Sequence, residues 1–473
     1  MRIPLTLRRA VADPLHRQIY DEWRTAILGG RLAPGDRLPS TRELAGALGV
    51  ARQTVTTAYD QLTAEGYLEP ARGSGTFVCR QLPDELTTAA REARRGLARS
   101  AAVRLSAYGR RLPAPVEPDA PGVMIDFSRF GPDLSHFPVR LWRRVIGHQL
   151  RHPFSSPRDA AGYAPLRHEI ASFVARSRAV ACTPDQVLVV NGSQQAIDLC
   201  ARLLVDPGDH VAVENPGYPA ARELFVAHGA RVRAVPVAAD GLSVAALGRD
   251  TRLVYATPAH QFPTGVSMSL PRRLDLIEWA GTRGAVILED DYDSVYRYSS
   301  APLPALQSFA RGVAVIYMGT FSNVMFPALR LGYLVLPPEL VGVFTEAKRL
   351  SDRGAAMLEQ AALTEFMREG HLERHIRRMT RIYRRRRDAL VDALTHAFGT
   401  RAHITGDAAG MHLFVRVAGG RLAERGSRLA VRVASARRYY AGSGAGADEY
   451  LLAFAAHGER TIREGIRRLA GTA

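Results

Sequence analysis

The stretch GTFSNVMFPALRLGY, residues 319–333, joins two apolar runs, VAVIYM at 313–318 and LGYLVLP at 331–337. Both runs are short and rich in β-branched residues, which predicts buried strands. Five similar runs precede them, each followed by a helical pattern: VLVVNG, HVAVEN, RVRAVPV, LVYATP and AVILED. Seven strands that alternate with helices predict an α/β domain with a mostly parallel sheet.

The composition sets limits on the function. The chain has 473 residues, which is enough for two or three domains. Lys348 is the only lysine among 63 basic residues, so chemistry that needs a lysine amine has one candidate. The net charge of +17 is weak evidence for nucleic-acid binding, because residues 1–80 hold 11 arginines against 8 acidic residues.

The three cysteines, Cys79, Cys182 and Cys200, are widely spaced. This spacing predicts neither a disulfide framework nor a metal site, and free thiols are typical of a reducing compartment. We find no leader pattern and no apolar run of about 18 residues. A soluble, cytoplasmic protein with no membrane contact is therefore expected.

The chain divides into three segments by composition. Residues 1–79 contain a helical unit that ends in a hairpin, and 80–120 form an Arg-, Ala- and Pro-rich linker. We expect residues 121–473 to form a second domain, with a large α/β part at about 160–350. Its smaller αβ part is expected at about 351–473.

The N-terminal unit carries a helix-turn-helix pattern. Ser40 or Thr41 is expected to cap one helix, Gly49 to form the turn, and a second helix to begin near Ala51. The second helix presents outward the short polar and forked side chains that a recognition helix needs, Arg52, Gln53, Thr54 and Thr57. From periodicity alone, a protein-interaction domain or a plain helical cap remains open.

Residues 33–78 add a more specific signal. The spacing of APGDRLPSTRELA, VARQTVTTAYDQL and ARGSGTFV resembles the GntR-type winged helix-turn-helix. The resemblance implies binding of double-stranded operator DNA by a dimer that reads two half-sites. The candidate DNA-binding residues are Ser40, Arg42, Arg52, Gln53, Thr54, Thr57 and Arg72.

Four motifs of the second domain follow strands, and they predict one pocket at the carboxyl ends of the sheet. The motifs are NGSQQAI at 191–197, ENPGYP at 214–219, EDDY at 289–292 and GTFSNVMFPALR at 319–330. Together they offer an acid, aromatics, hydroxyls and an arginine, which suits a planar phosphorylated ring. Taken singly, each has another interpretation: a turn aromatic, a helix cap or a surface ion pair.

The ordered motifs resemble fold-type I aminotransferases, and with the N-terminal unit the chain is similar to the MocR/GabR group of regulators. The resemblance covers nearly the whole chain and implies pyridoxal 5′-phosphate (PLP) as cofactor. It implies that Asp290 pairs with the ring nitrogen, Tyr292 with the ring hydroxyl, and that Tyr218 stacks on the ring. The candidate cofactor-binding residues are Ser193, Gln194, Tyr218, His260, Asp290, Tyr292, Thr320, Ser322, Asn323 and Arg330.

One position departs from the family pattern in a way that changes the chemistry. Asn323 stands where the family has the lysine that forms a Schiff base with the cofactor and then moves protons. An amide does neither, so no catalytic residue is assigned. Lys348 is expected on the solvent face of a helix, and Leu451 stands where substrate-binding members carry an arginine.

These features predict a homodimeric regulator whose aminotransferase-like domain senses PLP, an amine or an amino acid, noncovalently and without turnover. Two alternatives remain open: an active aminotransferase with a DNA-binding appendage, and a regulator whose pocket has drifted to a ligand other than PLP. The identity of the effector, the operator and the direction of regulation are not predicted.

Overall fold

The computed structural model describes residues 7, 13–71, 73–82, 104–114, 124–151, 159–298, 303–442 and 446–471. The chain separates into two compact units, Met1–Arg104 and Leu105–Ala473. Arg72, predicted to contact DNA, lies outside the described residues.

The described residues of the first unit form three helices and a small antiparallel sheet. Its elements are α1 (Leu15–Leu28), β1 (Arg37–Leu38), α2 (Thr41–Leu48), α3 (Arg52–Ala64), β2 (Leu68–Ala71) and β3 (Gly75–Val78). The strand order in the sheet is β1-β3-β2. Ser40 caps α2 reciprocally with Glu43, and Gly49 ends that helix with a φ of 62°, a left-handed conformation that glycine adopts without strain. The predicted helix-turn-helix and hairpin are present, and the pairing of β1 with β3 was not predicted.

The large part of the second unit alternates strands with helices as the sequence predicts. Three elements precede it in the chain: α4 (Ala107–Arg111), β4 (Ile125–Asp126) and α5 (Val139–Gln149). The large part itself contains α6 (Ala164–Arg178), β5 (Val187–Val190), α7 (Ser193–Leu204), β6 (His210–Asn215), α8 (Pro219–His228), β7 (Arg231–Ala238), β8 (Gly241–Leu242), β9 (Thr251–Ala256), α9 (Leu270–Arg283), β10 (Val286–Asp291), β11 (Val315–Thr320), β12 (Gly332–Val335) and α10 (Val341–Asp352).

The main sheet has the strand order β5-β12-β11-β10-β9-β6-β7-β8. All seven predicted strands are present, and β8 adds an eighth, two-residue strand that pairs with β7. The sheet is parallel except for β12 and β8. The carboxyl ends of β5, β6, β9, β10 and β11 therefore point to the same edge, where a ligand site is expected in a sheet of this kind.

The smaller part follows α10 and packs helices against a four-stranded antiparallel sheet, β13-β14-β17-β16. Its elements are α11 (Met357–Arg368), α12 (His371–Phe398), β13 (Ala402–Thr405), β14 (His412–Val417), α13 (Leu422–Arg428), β15 (Val431–Arg432), β16 (Ala434–Ser435), β17 (Glu449–Ala453) and α14 (Glu459–Ala470). Strand β4, which precedes the main sheet in the chain, pairs with β15. Among the described residues, none of these helices has the length and apolar character needed to cross a bilayer.

Candidate ligand pocket and DNA-binding surface

The turn from β5 into α7 presents the first backbone N–H groups of that helix. Gly192 precedes the helix with a φ of 84° and supplies no side-chain cap. This φ favours glycine, and a Cβ at this position would lie 2.8 Å from Nη2 of Arg330, so the guanidinium would have to shift. Uncapped N–H groups at a helix N-terminus bind anions, and Ser193 stands at the first position of α7.

Arg330 supplies a cation beside this turn. Its Nη2 donates to the carbonyl oxygen of Asn191 at 3.0 Å, and the side chain is exposed. No carboxylate of the described residues lies within 4.0 Å of its guanidinium. Gly332 pairs with Thr320 and packs against Gly192, which brings the end of β11 to the same turn. These groups together form the anion-binding end of the candidate pocket.

Asp290 lies at the carboxyl end of β10 and is 6% exposed. Its Oδ2 accepts a hydrogen bond from the Tyr255 hydroxyl at 2.5 Å. Burial raises the pKa of Asp290 to about 7, against the lowering effect of that hydrogen bond. No basic side chain of the described residues pairs with it, so a cationic ring nitrogen would satisfy this buried carboxylate.

Aromatic side chains lie between the anion-binding end and Asp290. The Tyr218 hydroxyl accepts a hydrogen bond from Nε2 of Gln194 at 2.9 Å, which directs Gln194 toward the aromatic group. The Phe262 ring packs edge-on against both Tyr218 and Tyr292, at 5.8 Å in each case. These contacts join Tyr218, Phe262 and Tyr292 into one aromatic group beside Gln194.

His260 is fully enclosed and connects to Tyr292. Its Nδ1 lies 2.8 Å from Oδ1 of Asp293 and 3.1 Å from the Tyr292 hydroxyl. Burial and the adjacent His260 lower the pKa of His412 to about 3, so His412 is neutral at physiological pH. The contact with Nδ1 of His260 holds the Tyr292 hydroxyl, the group predicted to meet the ring hydroxyl.

Asn323 lies in the loop that follows β11 and is half-buried. Its Nδ2 donates to the carbonyl oxygen of Tyr292 at 2.8 Å, and its own backbone carbonyl oxygen accepts from the Tyr296 hydroxyl at 3.3 Å. The side chain predicted to stand at the family's lysine position therefore bonds to the backbone of Tyr292, in the loop that follows β10. It contributes an amide and no amine to the pocket.

The prediction that Lys348 faces solvent is wrong. Lys348 lies in α10, as predicted for its segment, but its side chain is 0% exposed. Its Nζ donates to both carboxylate oxygens of Asp352, at 2.9 and 2.8 Å. A buried ammonium is stable only when it is paired, and Asp352 lies one turn later on the same helix.

Leu451 lies in β17 and is 1% exposed. It belongs to an apolar cluster with Phe414 and Tyr439, against which Phe262 packs. A buried leucine in this cluster cannot bind a carboxylate, since it offers no hydrogen-bond donor.

The pocket residues fit a zwitterionic planar ligand. A guanidinium and a helix N-terminus mark one end, and a buried carboxyl that has no cationic partner among the described residues marks the other. PLP carries a phosphate and a ring nitrogen that would meet these two ends. The donor set therefore fits this cofactor, with Asn323 the exception.

The candidate DNA-binding residues lie on one pair of helices. Arg42, Arg52, Gln53 and Thr57 are exposed on α2 and α3, Ser40 is exposed at the cap, and Thr54 is half-buried. The Nε of Arg52 donates to Oγ1 of Thr41 at 3.2 Å, which holds the guanidinium near the start of both helices. The first turn of α3 therefore presents forked and short polar donors, as a major-groove reader requires.

Comparison with known proteins decides the family. Residues 15–78 match the bacterial regulatory proteins of the gntR family, and residues 135–444 match aminotransferase class I and II. The probable rhizopine catabolism regulatory protein MocR of Rhizobium meliloti is 40% identical, over 87% of this chain and 83% of that protein. The chain belongs to the MocR-type regulators of the GntR family.

Other relatives span both units of this MocR-type regulator. The HTH-type pyridoxine biosynthesis transcriptional regulator PdxR of Corynebacterium glutamicum is 32% identical, over 98% of this chain and 96% of that protein. The alpha-aminoadipate aminotransferase LysN of Thermus thermophilus, solved with N-(5′-phosphopyridoxyl)-L-leucine, superposes with a TM-score of 0.67 at 30% identity. That likeness covers 74% of this chain and 92% of that one. The second unit of the MocR-type chain thus has the fold-type I aminotransferase fold, a fold that implies PLP binding.

Sequence reasoning missed four residues that build the pocket of this MocR-type regulator: Tyr255, Asp293, Asp352 and Gln195. Tyr255 and Gln195 stand within the quoted motifs LVYATP and NGSQQAI, and Asp293 directly follows EDDY, so their positions in the sequence could have indicated them. Asp352 gave no signal, because its partners Asn191 and Gln195 are far away in the chain.

Proposed function

We propose that this MocR-type regulator binds double-stranded operator DNA as a homodimer and senses PLP, or a related vitamer or amine, noncovalently and without transaminase turnover. The observation that carries this proposal is Asn323, whose amide stands at the Schiff-base position and bonds to the Tyr292 backbone. The rest of the pocket keeps groups for a phosphate and for a ring nitrogen. Without the amine, the pocket would still bind the cofactor but would not catalyse transamination.

The residues that would hold PLP divide between its two ends. Ser193, Gln194, Thr320, Ser322 and Arg330 are assigned to the phosphate, with Arg330 as the charge-assisted donor. Asp290 is assigned to the ring nitrogen, Tyr292 to the ring hydroxyl, and Tyr218 and His260 to the ring surroundings. When bound, PLP supplies an aldehyde and an electron-withdrawing ring, and neither group reacts with an amide.

Lys348 does not replace the missing amine. Its Nζ is buried and bonded to both oxygens of Asp352, and breaking that pair would leave a carboxylate without its cation. This contact argues against the alternative of an active aminotransferase.

For regulation, ligand binding must alter the DNA-binding state. A ligand shifts a conformational equilibrium only by as much as it prefers one state over the other. We therefore propose that occupancy of the pocket changes the relative placement of the two DNA-binding units of the dimer.

The test is a titration of the purified full-length chain with PLP, followed by borohydride treatment and intact-mass measurement. We expect a saturable absorbance change that dialysis reverses, and no added mass. An adduct on Lys348, or turnover of an amino donor, would contradict the proposal. Absence of any PLP binding would favour the drifted pocket.

A further inference from the structure

Lys348 lies on the buried face of α10 together with the apolar residues Phe344 and Ala347. It is the only lysine among 63 basic residues, and it is completely buried. The adjacent Arg349 is exposed and pairs with Glu346 on the surface of α10. The single lysine thus stands at an interior site and the arginine beside it at a solvent-facing one.

Asp352 links Lys348 to the end of β5. Its two oxygens accept from Nζ of Lys348, and Oδ1 also accepts from the backbone N–H of Gly354 at 2.9 Å. Oδ2 accepts from Nδ2 of Asn191 and from Nε2 of Gln195, each at 2.8 Å. Although burial acts to raise it, these hydrogen bonds hold the pKa of Asp352 below its ordinary value.

Asn191 is the residue where this network meets the pocket. Its backbone N–H donates to Oε1 of Gln195 at 2.8 Å, its side chain donates to Asp352, and its carbonyl oxygen accepts from Arg330. The turn before α7 is therefore fixed on one side by Asp352 and on the other by Arg330.

We propose that Lys348 and Asp352 are positioning residues that hold the Asn191–Ser193 turn ready for a phosphate group. This inference rests on the proposed binding of PLP in the pocket. Asp352 orders the turn through two amide donors, but its negative charge beside an anion site opposes a phosphate. Lys348 neutralises that charge while leaving the hydrogen bonds in place.

The geometry also accounts for lysine at this position. Both oxygens of Asp352 already accept hydrogen bonds from Asn191, Gln195 and Gly354. An ammonium has three donors on a compact head, whereas a guanidinium would bring five donors in a fixed fork into a fully buried space.

The test compares PLP with pyridoxal, which lacks the phosphate, by absorbance titration of the full-length chain. In Lys348→Met we expect PLP affinity to fall about tenfold or more, because the charge of Asp352 is no longer neutralised and repels the phosphate. Pyridoxal has no phosphate, so its affinity should be unchanged. Arg349→Met, which removes a cation one residue away, should leave both affinities unchanged. Equal losses for the two compounds in Lys348→Met would overturn the inference, since they indicate a general structural defect.

A second variant guards against misfolding. In Lys348→Met/Asp352→Asn no charge is left unpaired, and the introduced amide still offers an acceptor to the turn, so PLP affinity should recover relative to Lys348→Met. Absence of recovery would overturn the charge-balancing role. If the wild type binds neither compound, the proposed function is wrong, and the pair is then tested with inorganic phosphate. Phosphate should raise the Tm of the wild type more than that of Lys348→Met, and equal shifts would overturn the inference.

Discussion

The side-chain amide of Asn323 donates a hydrogen bond to the carbonyl oxygen of Tyr292 at 2.8 Å. This bond joins the loop after β11 to the loop after β10, and Asp290 lies in strand β10 itself. The amide thus takes part in the architecture of the pocket, and it offers no nucleophile that could form a Schiff base. The pocket residues can therefore be held in place for a ligand although no amine is present at position 323.

Asn323→Lys should gain covalent PLP. The remaining pocket groups are present, so an amine introduced at this position meets an aldehyde that is already held. Borohydride treatment followed by mass measurement should show one added phosphopyridoxyl group per chain. Asn323→Gln, which extends the side chain without an amine, serves as the control and should add no mass. If the Asn323→Lys variant binds PLP but borohydride never fixes it, the phosphate and ring ends are not placed as proposed.

Arg330→Gln should weaken PLP binding by about ten- to a hundredfold, because it removes a charge-assisted donor from the anion-binding end. Pyridoxal binding should change little, since it has no phosphate to lose. Titration by absorbance measures both ligands. An equal effect on the two would place Arg330 in the support of the turn and not at the phosphate.

The stability of the chain should depend on Asp290 in a pH-specific manner. Its pKa is raised to about 7 in the folded chain, so between about pH 4 and pH 7 the folded state keeps a proton that the unfolded chain has released. The free energy of unfolding contributed by this group therefore falls as pH rises through that range. Asp290→Asn should flatten the fall, as measured by urea denaturation at each pH. The exposed Asp275→Asn on α9 is the control, and an unchanged slope in Asp290→Asn would contradict the prediction.

Lys348→Arg should destabilise the chain although it conserves charge. The site is fully buried, and the larger guanidinium must enter a packed space with its donors unsatisfied, which costs about 1–3 kcal/mol. The reverse exchange next to it, Arg349→Lys, lies on the surface and should change the free energy of unfolding by less than about 0.5 kcal/mol. Urea denaturation distinguishes the two, and similar small effects would mean that the interior site adapts to either cation.

Arg52→Ala should reduce operator-specific DNA retention by about ten- to a hundredfold, the scale expected when a base-contacting side chain is removed. PLP titration should be unaffected, because Arg52 belongs to the other compact unit. Gel retardation with operator and with unrelated DNA measures the effect, and Arg349→Met controls for loss of one positive charge. Equal weakening on both DNAs would assign Arg52 to phosphate contact.

Seven strands of the main sheet were predictable because each contains a short apolar run rich in β-branched residues. Val187–Val190 and Val315–Met318 show this pattern in the sequence and are buried throughout the structure. The strand Gly241–Leu242 was not predicted because two residues are too few to show an alternating hydrophobic pattern. It forms by pairing with the preceding β7. Arg37 and Leu38 form a strand for the same nonlocal reason, through β3.

The pocket was predictable where a motif marks it and unpredictable where a distant partner decides. Asp290 and Arg330 follow strands, and the topology brings them to one edge of the sheet. The burial of Lys348 depends on Asp352 and, through it, on Asn191, which lies 161 residues before Asp352 in the chain. The pattern of apolar residues around Lys348 in its helix cannot predict a contact between residues so far apart in the chain.

Because the only lysine is buried, no lysine amine contributes to the positive charge of the surface. Lysine acetylation neutralises charge on many proteins, but here the only ε-amine is buried against Asp352. The other 62 residues of the Lys and Arg total are arginines, whose guanidinium groups stay protonated at physiological pH. The attraction of this surface for an acidic polymer is thus adjusted by ionic strength, and enzymes that modify lysine have no target on it.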